Sequence, residues 1–104
     1  LLYEVALICG AMFIHSNLKL PTGVDRWLRW AIVTPDMHRV HHSTDHIEAN
    51  RNFGFLIPYW DRLFKVYQDQ PSTGHEGMEI GQSQWRDRRD QSSWELLIQP
   101  RFKP

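Results

Sequence analysis

One cysteine in 104 residues excludes a disulfide framework. That residue, Cys9, stands inside an apolar run, where a thiol behaves as a small buried hydrophobe. Charge of one sign is lacking too. Twelve basic residues offset twelve acids, for a formal net charge of zero with neutral histidine. Binding to nucleic acid demands a basic surface against the phosphates, so no nucleic-acid partner is expected. Internal repeats and low-complexity segments are absent.

A complete membrane-spanning run is also missing. LLYEVALICGAMFI, Leu1 to Ile14, is almost all hydrocarbon apart from Glu4, but about twenty apolar residues are needed to cross a bilayer. It lacks the basic segment that opens a signal peptide. The run therefore reads as the C-terminal part of a membrane helix that begins upstream, and the chain as a fragment. A buried helix of a soluble domain would have the same composition.

Aromatic residues, by contrast, are plentiful: five Trp, five Phe and three Tyr. They suit a packed core or a membrane–water interface. HSNLKLPTG, His15 to Gly23, marks a turn. TGVDRWLRWAIV follows with apolar residues at helical intervals, and Thr22 and Asp25 have the spacing of a capping box. Arg26 and Arg29 beside Trp27 and Trp30 suit a helix lying at a membrane surface. Lys19, Arg26, Arg29 and Arg39 would then place that side in the cytoplasm. RNFGFLIPYWDRLFKVY, Arg51 to Tyr67, is broken by Gly54 and Pro58, so it predicts a loop and a short helix at the membrane face. Beyond Gln68 the chain turns polar, with a last capped helix expected around Ser92, Glu95 and Pro100.

The densest chemistry lies in TPDMHRVHHS, residues 34 to 43. Thr34 suits an N-cap, Pro35 the first helical position and Asp36 the first turn, which together place the histidines on a helix. At about 100° per residue, His38, His41 and His42 share an arc of roughly 100° on that helix. His38 and His42 are four apart, the spacing that lets two imidazoles reach one ion. His41 flanks them, so the helix can serve one crowded ion or two neighbouring ones. Imidazole suits zinc, copper and iron. His15, where the apolar helix gives way to the turn, is the next candidate ligand. His46 reads as a solvated residue past the end of the helix, and His75 as a surface loop histidine. Asp36, Asp45, Glu48 and Asp61 are candidate acceptors for the outer N–H of a metal-bound histidine, Asp61 foremost, or else as an ion-pair partner of Arg62.

FIHSN, TPDMHRVHHS, NRNFGF and WDRLF followed by Tyr67 resemble the C-terminal half of the fatty acid hydroxylase / sterol desaturase superfamily. The resemblance runs from Leu1 to Tyr67, and GHEGMEIG resembles the extension of its bacterial sterol-desaturase-like members. One departure is WDRLFKVY, where Lys65 and Val66 replace the Gly-Thr of the family and put the local turn in doubt. The resemblance implies a membrane-bound oxygenase that uses a di-iron centre, O2 and electrons from a redox donor to hydroxylate or desaturate a lipid C–H bond. His38, His41 and His42 match its last histidine box and His15 the lone histidine before it. The two earlier boxes would lie upstream, so this segment alone should hold half a site and be inactive.

The expected fold is all-α: a fragment of a membrane helical bundle with a histidine-bearing helix on the cytosolic side, interfacial helices and a polar tail. Residues 1–67 would form the hydroxylase-like part and residues 68–104 the extension. Two other readings remain at this point: a helical domain with a structural or hydrolytic zinc site, and a family member without catalysis.

Overall fold

The computed structural model describes residues 1–82 together with Ser92 and Trp94. The helix expected around Ser92, Glu95 and Pro100 lies outside the described residues. Those described are helical, with a single isolated antiparallel bridge, Ser43 to Ile80, in place of any strand.

α1 spans Leu2–Ile14. Thirteen residues at 1.5 Å each measure about 20 Å, and no described helix is long and apolar enough to cross a membrane. Most of α1 faces outward: Leu2, Tyr3, Ile8 and Met12 are exposed, and only Ile14 at its end is buried.

α2 covers Thr22–Leu28, shorter than the pattern predicted. The capping box does not form. Pro21, with φ −54°, occupies the N-cap and no side chain bonds there, so Thr22 falls inside the first turn. Asp25 turns inward instead and meets Arg29, its Oδ2 2.6 Å from Nε. Arg29 is 3% exposed, which removes it from any membrane-facing surface. The helix gives way before Val33, whose N–H donates to the Leu56 carbonyl at 3.0 Å.

α3, Pro35–His41, follows the sequence signal closely. The Thr34 hydroxyl accepts from the Met37 N–H at 3.4 Å, with proline in the first turn. Met37 and Val40 on its inner face are fully buried. Ile14, Val33 and Met37 form the core, with Phe13 and Tyr67 packed against it. α4, His46–Ala49, is capped by Asp45, whose carboxylate accepts from Ile47 and Glu48. His46 is exposed as expected, but it opens this new helix.

α5, Tyr59–Leu63, is the short helix predicted after the Gly54–Pro58 break. Its end settles the departure at Lys65. The Lys65 N–H donates to the Arg62 carbonyl and the Val66 N–H to the Asp61 carbonyl, the paired bonds of a Schellman cap. Lys65 adopts φ 59°, the left-handed position that favours glycine. The turn is kept with a lysine in it. We expect Lys65→Gly to stabilise the chain by about 0.5–1 kcal/mol, because relief of the Cβ clash exceeds glycine's entropic cost. Denaturant midpoints check this; a loss would mean that the lysine stem contributes more than the strain costs.

α6, Gly74–Gly77, lies in a segment that returns to the histidine helix. The Thr44 N–H donates to the Glu79 carbonyl and the Gly81 N–H to the His42 carbonyl, both at 2.9 Å.

Candidate metal centre

α1 and α3 meet at their C-terminal ends, where the core residues Ile14 and Met37 bring His15 against the histidines of α3. The His15 ring centroid lies 4.7 Å from that of His38 and 5.2 Å from that of His42. One ring nitrogen from each of His15, His38 and His42 lies within 4.8 Å of the other two. Two nitrogens on one ion, each at about 2.1 Å, stand at most about 4.2 Å apart. Around a tetrahedral ion that separation is about 3.4 Å, so the trio, all within 4.8 Å, would close by up to about 1.4 Å to share an ion.

His38 is the buried member, 7% exposed, whereas His15 and His42 face outward. The Nε2 atoms of His38 and His42 approach to 3.1 Å, so the two nitrogens point at a common place. His38 Nδ1 is buried without a hydrogen-bond partner among the described residues. An unmet buried group costs about 1–3 kcal/mol, and native sites that tolerate one are commonly built for a ligand or ion. A site of neutral imidazoles with this defect fits a cation.

His41 does not join the trio. Its ring centroid is 5.6 Å from that of His38 and 5.5 Å from that of His42. Its Nδ1 donates to the Arg51 carbonyl at 3.1 Å, which leaves Nε2 as the free lone pair. This is the outer N–H anchorage that metal-bound histidines use. The acceptor is a carbonyl, not one of the four carboxylates expected. Asp36 pairs with Arg39, Asp45 caps α4, and Glu48 accepts from the Ser72 N–H at 2.6 Å.

Asp61 is 1% exposed, and both its carboxylate oxygens accept from the Gly54 N–H at 2.9 and 3.1 Å. It reaches neither a histidine nitrogen nor Arg62, which lies over the Trp30 and Tyr67 rings. A Cβ on Gly54 would stand 2.6 Å from Asp61 Oδ2 and 2.8 Å from the Ile57 carbonyl, so glycine is what lets α5 close on this loop. The loop in turn puts Phe53 against His41, centroids 5.2 Å apart.

Asn52 was missed at the level of sequence. It is fully buried at φ 50°, donates Nδ2 to the Met37 and Gln68 carbonyls, and accepts from the Gln68 N–H. It thus fixes Arg51, and with it the acceptor of His41. An asparagine among glycine and aromatics was its only signal, since Asn tolerates the left-handed region.

Burial first, then the neighbouring His42, His15 and His41, pushes the pKa of His38 down to about 4. Burial, followed by His15 and His41, lowers that of His42 as well. These imidazoles stay neutral, with lone pairs available, below the usual histidine range. An unfolded His38 takes its proton near pH 6.5 and the folded one near 4. Between those values the unfolded state binds more protons, so stability should fall as pH drops from 6.5 to 4 and level off below. Melting curves of the metal-free protein across this range should slope in that sense, and His38→Leu should flatten the slope. A pH-independent melting temperature would contradict a neutral, buried His38.

Comparison with known proteins bears on this site. A family model described as fatty acid hydroxylase matches residues 1–66. Ornithine lipid hydroxylase OlsE of Rhizobium tropici is similar at 33% identity over 60 residues, 58% of this chain and 17% of that protein. The chain thus spans a small part of the length of that relative. No solved structure matches. The match of the family model takes in His15, the histidines of α3 and the Asp61–Gly54 closure alike, and the chain belongs to the fatty acid hydroxylase family.

Proposed function

We propose that this chain is the C-terminal part of a membrane-bound lipid hydroxylase or desaturase, in which His15, His38 and His42, with His41 beside them, hold part of a di-iron centre. The observation that carries this reading is the convergence of His15 from α1 on His38 and His42 from α3. Family membership and the name of the relative, a lipid hydroxylase, support the reaction class. A bound iron pair would supply O2 reduction and the attack on an unactivated lipid C–H bond, with electrons from a redox donor.

The chain's own residues prepare that site. His38 and His42 keep neutral imidazoles toward it, and Arg51 orients His41. Phe53 against His41 opens an apolar groove of about 470 Å³ with Phe55, Trp60, Phe64 and Val66, which we assign to the acyl chain of the substrate. The exposed apolar face of α1 supports a place in the membrane, and Lys19 and Arg26 a cytoplasmic position for the site. Histidines upstream of Leu1 would complete the ligand set, so the segment alone should be inactive.

Metal analysis of the detergent-purified full-length protein tests the reading. About two irons per chain are expected. One zinc per chain would favour a structural or hydrolytic zinc site, and no metal a family member without catalysis.

A further inference from the structure

A second cavity lies beside the histidine site. It encloses about 470 Å³, and its wall includes Asp25, Arg29, Asp36 and His75, a volume in the usual range for small-molecule sites. Asp36 pairs with Arg39 at 3.2 Å. Arg39 also lines the smaller hollow that contains His15 and His42. The Asp36–Arg39 pair thus links the walls of the two hollows.

The wall carries both signs of charge and several unmet groups. Arg29 and Asp25 are 3% and 8% exposed. Arg29 holds Asp25 through Nε at 2.6 Å and Asp69 through Nη1 at 2.9 Å. Its Nη2 has no hydrogen-bond partner among the described residues, nor has Asp25 Oδ1. His75, expected in a surface loop, is half-buried here with both ring nitrogens unpartnered among those residues. Unmet buried donors and acceptors cost about 1–3 kcal/mol each, so a ligand that reached both kinds at once would gain by satisfying them. The carboxylates of Asp25, Asp36, Asp69 and Glu76 oppose a plain anion, and Lys19, Arg26 and Arg29 oppose a plain cation.

We propose that this cavity binds a zwitterionic group, an ammonium beside an anionic oxygen centre. Asp25 and Asp36 are the wall carboxylates available to the ammonium, and Arg29 and His75 the wall donors available to the anionic oxygens. The headgroup of the lipid acted on at the histidines is one source of such a group, and a free soluble zwitterion is the other. The lipid source rests on the function proposed above; binding in the cavity does not.

Titration calorimetry on the metal-free full-length protein in detergent provides the test, because it needs neither iron nor turnover. The probes are short-chain phosphatidylethanolamine, short-chain phosphatidylglycerol and free phosphoethanolamine. Phosphatidylethanolamine should bind at least about tenfold more tightly than phosphatidylglycerol. His75→Leu strands no partner among the described residues, so it should weaken that binding about fivefold with an unchanged melting temperature. Asp25→Asn should bring the two lipids to within about twofold of each other. Free phosphoethanolamine competing as strongly as the lipid assigns the cavity to a soluble zwitterion, and weak competition assigns it to a headgroup. Equal binding of the two lipids, or a His75→Leu protein with unchanged affinity, overturns the proposal. Iron content is measured separately, so a failure here leaves the metal centre standing, and the reverse.

Discussion

His38→Leu in the full-length protein is expected to abolish metal binding and lipid oxidation while leaving the fold intact. His38 is the buried member of the trio, and its Nε2 lies 3.1 Å from that of His42. Loss of an outer-shell partner alone weakens a metal site by about 10–100-fold, so loss of a ligand should reduce affinity by at least about a hundredfold. The metal-free fold has little need of this side chain. Its Nδ1 has no partner among the described residues, and its imidazole is held neutral at a cost that grows as pH falls. Leucine fills similar space without a polar atom. The metal-free variant should therefore melt at or above the wild-type temperature at pH 5, the signature of a residue kept for function at the expense of stability. Metal content by mass spectrometry and the two melting curves decide the matter. A variant that kept its metal would remove His38 from the ligand set, and one that melted well below wild type would make it a structural histidine.

Asn52→Ala is expected to cost about 3–5 kcal/mol, the largest stability loss from any single substitution proposed here. Three hydrogen bonds of 2.8 to 2.9 Å end at this side chain, and removal takes both partners from the Gln68 backbone and a further donor from the Met37 carbonyl. Alanine also tolerates φ 50° less well than asparagine. Asn52→Gly keeps the backbone conformation but loses the same bonds, so the two variants should differ by about 1 kcal/mol in favour of glycine. The damage should reach the metal centre as well, because the carbonyl that anchors His41 Nδ1 belongs to Arg51, the residue just before Asn52. Chemical denaturation measures the first effect and metal affinity the second. A loss under about 1 kcal/mol would show that water replaces these bonds.

Some of this was legible in short stretches of sequence. Thr34, Pro35 and Asp36 determine where α3 begins, because a cap acts on the next few N–H groups and proline constrains its own φ. The i, i+4 spacing then brings His38 and His42 together whatever surrounds the helix. The break at Gly54 and Pro58 likewise fixed a loop followed by a short helix.

Other features depended on distant partners. The Thr22–Asp25 pattern predicted a cap, but Asp25 meets Arg29 in the buried network instead. Asp61 looked like a partner for a base or a histidine, yet a backbone N–H seven residues earlier takes its carboxylate. His75 looked like a loop residue until the returning segment carried it to the wall of a cavity. Local signals act over about one helical turn, so the sequence by itself determined the start of α3 and the histidine pair. The arrival of His15, the anchorage of His41 and the burial of Asn52 each join residues ten or more positions apart. Only chain closure, driven by burial of Ile14, Val33 and Met37, could decide those.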